Sequence, residues 1–75
     1  MNNIEIAIEL LREANDELIR LNDYTNRCDE IYVLDSDEYT HAVRELRANY
    51  PIEPKKSIIN DNIKMARRLL LKEYV

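Results

Sequence analysis

Apolar residues recur along the first part of the chain at alternating steps of three and four: Ile4, Ala7, Leu11, Ala14, Leu18 and Leu21, continued by Thr25, Cys28 and Tyr32. This is the spacing of a helical seam facing a neighbour, and it predicts one long helix from about residue 3 to about residue 33. The polar stretch Asn22-Asp23-Tyr24-Thr25-Asn26 forms helix poorly. It marks the place where the helix could kink or divide, giving four helices instead of three. Ile31-Tyr32-Val33-Leu34 has the β-branched and aromatic character of a strand, yet no second strand candidate exists to satisfy its backbone groups. It is read as the end of the helix.

Asp35-Ser36-Asp37-Glu38 has the form of a helix start, with Asp35 and Glu38 placed as a capping box and acids at the positive end of the helix dipole. Tyr39, Ala42, Val43, Leu46 and Tyr50 then make one apolar face of a second helix over 36–49, which stops before Pro51 because proline pushes its predecessor out of the α region. Pro51-Ile52-Glu53-Pro54 is a stiff extended connector. Ser57 is placed to cap a third helix, over 57–74, whose face carries Ile59, Ile63, Ala66, Leu69, Leu70 and Tyr74. The prediction is an all-α single domain over 1–75. At 1.5 Å per residue the two shorter helices end to end match the long one, so either they pack along it in series as an extended three-helix arrangement, or the first helix breaks near Asn22 and the chain folds into a compact four-helix unit.

The first helix is apolar over more of its circumference than one neighbour covers. At 100° per residue its apolar positions between Ile4 and Leu21 span an arc of roughly 220°, against about 100° for a helix lying on a single core. Ile6 and Leu10 lie at one edge of that arc and Ile19 at the other. Either the two short helices flank the long one on both sides, or a second copy of the chain or another protein covers the remainder. Self-association is the expectation, because a 75-residue chain has a small core and the usual staples are missing.

Those staples are a disulfide or a metal, and the chain has one cysteine, Cys28, and one histidine, His41. No cofactor or metal site is expected. Glycine is absent altogether, where average usage would put about five in such a chain. Phosphate-cradling loops and nucleophile turns that need positive φ are excluded with it. His41 lies off the apolar stripe of its helix and Cys28 lies on the seam, where cysteine is an inert small hydrophobe. The chain is therefore expected not to be an enzyme. There is no basic leader and no apolar run approaching a membrane span, which predicts a cytoplasmic protein with no membrane partner.

The net charge of −4 is unevenly distributed: eleven acids face three arginines over residues 1–38, whereas six bases face two acids over 55–75. Glu5, Glu9, Glu13 and Glu17 form a line of like charge, and Lys64, Arg68 and Lys72 form the opposite line, so antiparallel pairing of the two would relieve both. Should the basic line face outward instead, Lys64, Arg67, Arg68 and Lys72 become candidate phosphate contacts of a small DNA-binding regulator. Net acidity and a long, proline-containing connector in place of a short helix-turn-helix turn weigh against that alternative.

All five aromatic residues are tyrosines, whose apolar body and hydroxyl suit binding surfaces. Tyr24, off the predicted seam, is singled out with Glu17, Ile6 and Leu10 as a candidate contact for a partner protein. In size and composition the chain resembles the small accessory proteins of bacteriophages and mobile elements. That resemblance implies stoichiometric binding to a host or repressor protein, without turnover. The expectation is thus a non-enzymatic, regulatory protein-binding module, acting as a homodimer.

Overall fold

Each of the first two helices opens on a side chain that accepts an otherwise unpaired amide. Asn2 Oδ1 accepts from the Glu5 amide at 2.8 Å and Asp35 Oδ1 from the Glu38 amide at 3.1 Å, the standard means of satisfying the first turn. The computed structural model describes residues 2–73, in which the chain forms α1 (Asn3–Tyr32), α2 (Ser36–Asn49) and α3 (Lys56–Glu73). No strand occurs among the described residues. Helix α1 runs unbroken through Asn22–Asn26, so tertiary contact overrides the weak propensity of that stretch. Helix α3 starts at Lys56 and takes Ser57 into its first turn, one residue earlier than its capping chemistry suggests. Tyr74, assigned above to the apolar face of α3, lies outside the described residues.

A three-residue turn between α1 and α2 sends the chain back along α1, and the connector between α2 and α3 continues in the same direction. Both shorter helices therefore run antiparallel to α1, one after the other, with no packing between them. The result is a plank of 58 × 19 × 13 Å with a radius of gyration of 17.2 Å, against about 11 Å for a compact domain of this length. Helix α3 covers the N-terminal two thirds of α1, and α2 touches only its C-terminal end.

The most enclosed positions between α1 and α3 are alanines: Ala7, Ala14 and Ala66 are 0%, 4% and 1% exposed. Small residues let the two backbones approach closely, and among the described residues no large side chain is fully enclosed. The remaining core is one contact region near Ile31 of α1 and Leu46 of α2. The inward seam of α1 runs through Ala7, Leu10, Ala14, Glu17, Leu21, Tyr24, Cys28 and Ile31, with Ile6, Arg20 and Asp23 half-buried at its margins. This seam shares Ala7, Ala14, Leu21 and Cys28 with the predicted one. It replaces Ile4, Leu11, Leu18, Thr25 and Tyr32, which are exposed.

The electrostatic register expected from the charge lines is not formed. Among the described residues every ion pair lies within one helix: Arg12–Glu9 at 3.0 Å, Arg20–Glu17 at 2.9 Å and Arg27–Asp23 at 2.9 Å; within α2, His41 Nε2 lies 3.3 Å from Glu45 Oε1. Instead Asn62 of α3 fixes the helix pair, its Nδ2 donating to the Leu10 carbonyl at 3.1 Å and to Glu13 Oε2 at 3.2 Å. Lys64, Arg68 and Lys72 lie on the far side of α3 and are exposed.

Because Ala66 is enclosed between the helices at 1% exposure, Ala66→Leu is expected to destabilise the fold by about 1–3 kcal/mol through overpacking. The same change at exposed Ala48 should be nearly neutral. Paired thermal melts check this.

Candidate protein-binding surface

The connector is held to α1 by a cluster of polar and aromatic contacts that the linear spacing of residues does not reveal. Arg20 Nη2 donates to the Ile52 carbonyl at 2.8 Å, and its guanidinium carbon lies 5.7 Å from the centre of the Tyr50 ring. Glu17, with a side chain only 11% exposed, holds the other end of that guanidinium. The Tyr50 hydroxyl donates to Asp23 Oδ2 and the Tyr24 hydroxyl to Glu53 Oε1 at 3.3 Å. Between them the Tyr24 and Tyr50 rings meet edge to face, with centroids 5.5 Å apart and planes at 84°, a favoured aromatic geometry. Pro54 is buried behind the cluster.

These bonds move the acidities of their members. The Tyr50 hydroxyl holds the Asp23 carboxyl below its ordinary value of 3.8, with Arg27 acting in the same sense against a partial desolvation that opposes both. Tyr50 itself is pushed above its ordinary value of 10.0, chiefly by donating to Asp23 and then by desolvation. Tyr24 is also raised, by desolvation first and then by the Glu53 charge. The signs follow from linkage. A lowered carboxyl contributes stability above its unfolded pKa that is lost as pH falls through its folded value. A raised phenol contributes stability below its unfolded pKa that is lost as pH rises through its folded value.

Beside this cluster α1 and α2 diverge, leaving an open cleft of about 420 Å³. Tyr24, Tyr32, Tyr39 and Tyr50 all line it, with Cys28, Val43 and Leu46 contributing to its apolar walls. Tyr32 and Tyr39 are 86% and 47% exposed, so their rings border the cleft without closing it. A tyrosine-rich concavity offers apolar area with hydroxyls at its edge and loses little side-chain entropy on binding, which is the composition favoured for protein contacts. Among the described residues there is no group of three His, Cys, Asp or Glu side chains placed to hold a metal ion. Nor is any helix among them long and apolar enough to cross a membrane.

Of the four residues expected to contact a partner, only Tyr24 reaches this cleft, and it does so as part of its wall. Ile6, Leu10 and Glu17 turn toward α3 or the connector and are half-buried. They sit at the edge of the apolar arc that α3 takes, and the opposite edge, which includes Ile4, Ile8, Leu11, Leu18 and Ile19, stays exposed. Lys64, Arg67, Arg68 and Lys72 are exposed on α3 and take part in no ion pair among the described residues. Tyr39 and Tyr50 read in sequence as ordinary rim residues of α2. Their convergence with Tyr24 and Tyr32 comes from the hairpin, which no spacing rule encodes. No protein-family model, curated protein or solved structure matches the chain.

Tyr50→Phe is expected to lower the thermal midpoint at neutral pH and to shrink its decline on both the acidic and the alkaline side. Melts at a series of pH values from about 3 to 11, spanning the ordinary carboxyl and phenol ranges, measure this. A variant profile parallel to that of the wild type would remove the Tyr50–Asp23 bond from the account.

Proposed function

We propose that this protein is a non-enzymatic binding module that acts by occupying the surface of another protein, with the tyrosine-lined cleft between α1 and α2 as its contact site. The observation that carries this reading is the convergence of four tyrosines on one open concavity, with Arg47 and Glu53 also in its lining, in a chain too small to spend all four on its own core. Tyr32 and Val33 stand 86% and 81% exposed at its end, where they gain no burial within the chain. A partner segment inserting there would desolvate rings held in place by the α1–α2 hairpin. Preorganisation of this kind favours binding because little ordering remains to be done. Stoichiometric binding of a regulatory type requires nothing beyond such a surface.

A second reading, a small DNA-binding regulator, is favoured by one observation: the exposed bases Lys64, Arg67, Arg68 and Lys72 on α3. The net charge of −4 opposes it, since phosphate attraction supplies most of non-specific affinity. A salt titration separates the two. DNA affinity in the micromolar range or tighter that falls steeply with salt supports the second reading, and its absence removes it.

For the cleft, Tyr32→Ala and Tyr39→Ala are expected to leave helicity intact while each weakens capture of a specific protein from the native cell by tenfold or more. That loss corresponds to about 1.4 kcal/mol or more, within the range of an interface tyrosine. Unchanged capture by both variants would overturn the cleft as the contact site.

A further inference from the structure

The cleft lies at one end of the plank and leaves a second apolar surface unexplained. Ile4, Ile8, Leu11 and Leu18 are each 41–44% exposed and, with Asn15 between the last two, follow steps of four, three, four and three. That is a complete helical seam, running beside the seam that α3 occupies. Helix α3 extends the same surface: Leu11 shares a shallow groove of about 270 Å³ with Ile63, Leu70 and Leu71. The α1–α3 pair is in effect a single layer, apolar on one broad side, and helical domains are normally closed by a second layer.

The size of the uncovered surface indicates what covers it. The chain exposes 6115 Å², whereas a compact monomer of 9.0 kDa would expose about 4,900 Å². The excess is roughly 1,200 Å² per chain. A standard specific interface takes about 800 Å² per partner and obligate homodimers take about 1,000 Å² or more. Two chains stacked on this face at the standard interface of about 800 Å² per partner would remove much of that excess while making a four-helix bundle, in which the large apolar residues of α1 and α3 acquire the enclosed packing that the alanine contact does not give them.

We propose that the exposed α1–α3 face binds a second copy of this chain, forming a two-layer four-helix bundle, and that Asn15 is the polar position within its seam. A lone asparagine on an otherwise apolar seam specifies pairing at a cost in affinity. Replacing it therefore acts in the opposite direction to truncating its neighbours. The tyrosine cleft is a separate surface and remains open in the dimer.

Sedimentation equilibrium on the full chain across a dilution series tests this. The wild type is expected at twice the 9.0 kDa chain mass at micromolar concentration. Leu11→Ser with Leu18→Ser should weaken dimerisation a hundredfold or more, and Asn15→Leu should tighten it about tenfold. Tightening to a discrete dimer that keeps its helicity and a cooperative melt cannot arise from misfolding, which exposes apolar surface and gives larger, polydisperse species, so it keeps the test decisive if the serine variant unfolds. Tyr39→Ala, in the cleft, should leave the association constant unchanged, so that failure here is distinguishable from failure of the protein-binding reading. A wild type that stays monomeric up to millimolar concentration would overturn the proposal, as would a dimer indifferent to both the serine and the leucine substitutions.

Discussion

The close contact of α1 with α3 through alanines governs the form of the molecule. Ala7, Ala14 and Ala66 are the most enclosed side chains between the two helices, and residues this small let helices approach closely. A contact of small residues fixes geometry more than it provides hydrophobic stabilisation, since each alanine removes little apolar area from water. The large residues flanking it, Leu11 and Leu18 on one helix and Ile63 on the other, consequently remain partly in solvent. A helix pair packed in this manner is a layer with two broad sides, and stability depends on what lies against them.

Placement of the two short helices follows from how the chain turns. Three residues between α1 and α2 keep α2 beside the end of α1, along which it runs back, and the prolines of the connector deny the chain a continuous helix from α2 into α3. The connector is then fixed by Arg20, which holds the Ile52 carbonyl and the face of Tyr50 together. One guanidinium thus ties the end of α2 and the connector that follows it to α1. With α2 and α3 in series along α1, neither is free to wrap its opposite flank, and the exposed seam is the geometric consequence.

The two uncovered surfaces differ in chemistry in a way that matches different uses. The α1–α3 face is aliphatic and nearly flat, suited to extensive burial against a like surface. The cleft is aromatic and concave, with hydroxyls at its margin and acidic neighbours in Asp23 and Glu53. Under the proposed reading, such a division would let a very small chain combine an assembly surface with a recognition surface, with α1 contributing to both. A lone domain of this size is short of core, and assembly and stability would then be linked by mass action.

Helix number, limits and order were legible in the residues themselves. The capping chemistry at Asp35, the proline at 51 and the three-and-four spacing of apolar positions are local properties, and local hydrogen bonding and sterics act on them directly. Their lengths also allowed the serial packing, as one of two arrangements. The choice of seam on α1 was not legible, because Ile4, Leu11 and Leu18 are more apolar than Glu17 and Tyr24, and the sequence ranks them accordingly. Tertiary structure inverted that ranking, since Glu17 meets Arg20 and Tyr24 meets Tyr50 and Glu53, in a cluster whose three hydrogen bonds between α1 and the connector join residues 27 to 32 positions apart. The sequence by itself determined that α1 carries more apolar surface than one neighbour needs. Only the folded arrangement decided which side of it faces α3 and which side remains open, because that depends on where distant side chains find their hydrogen-bond partners.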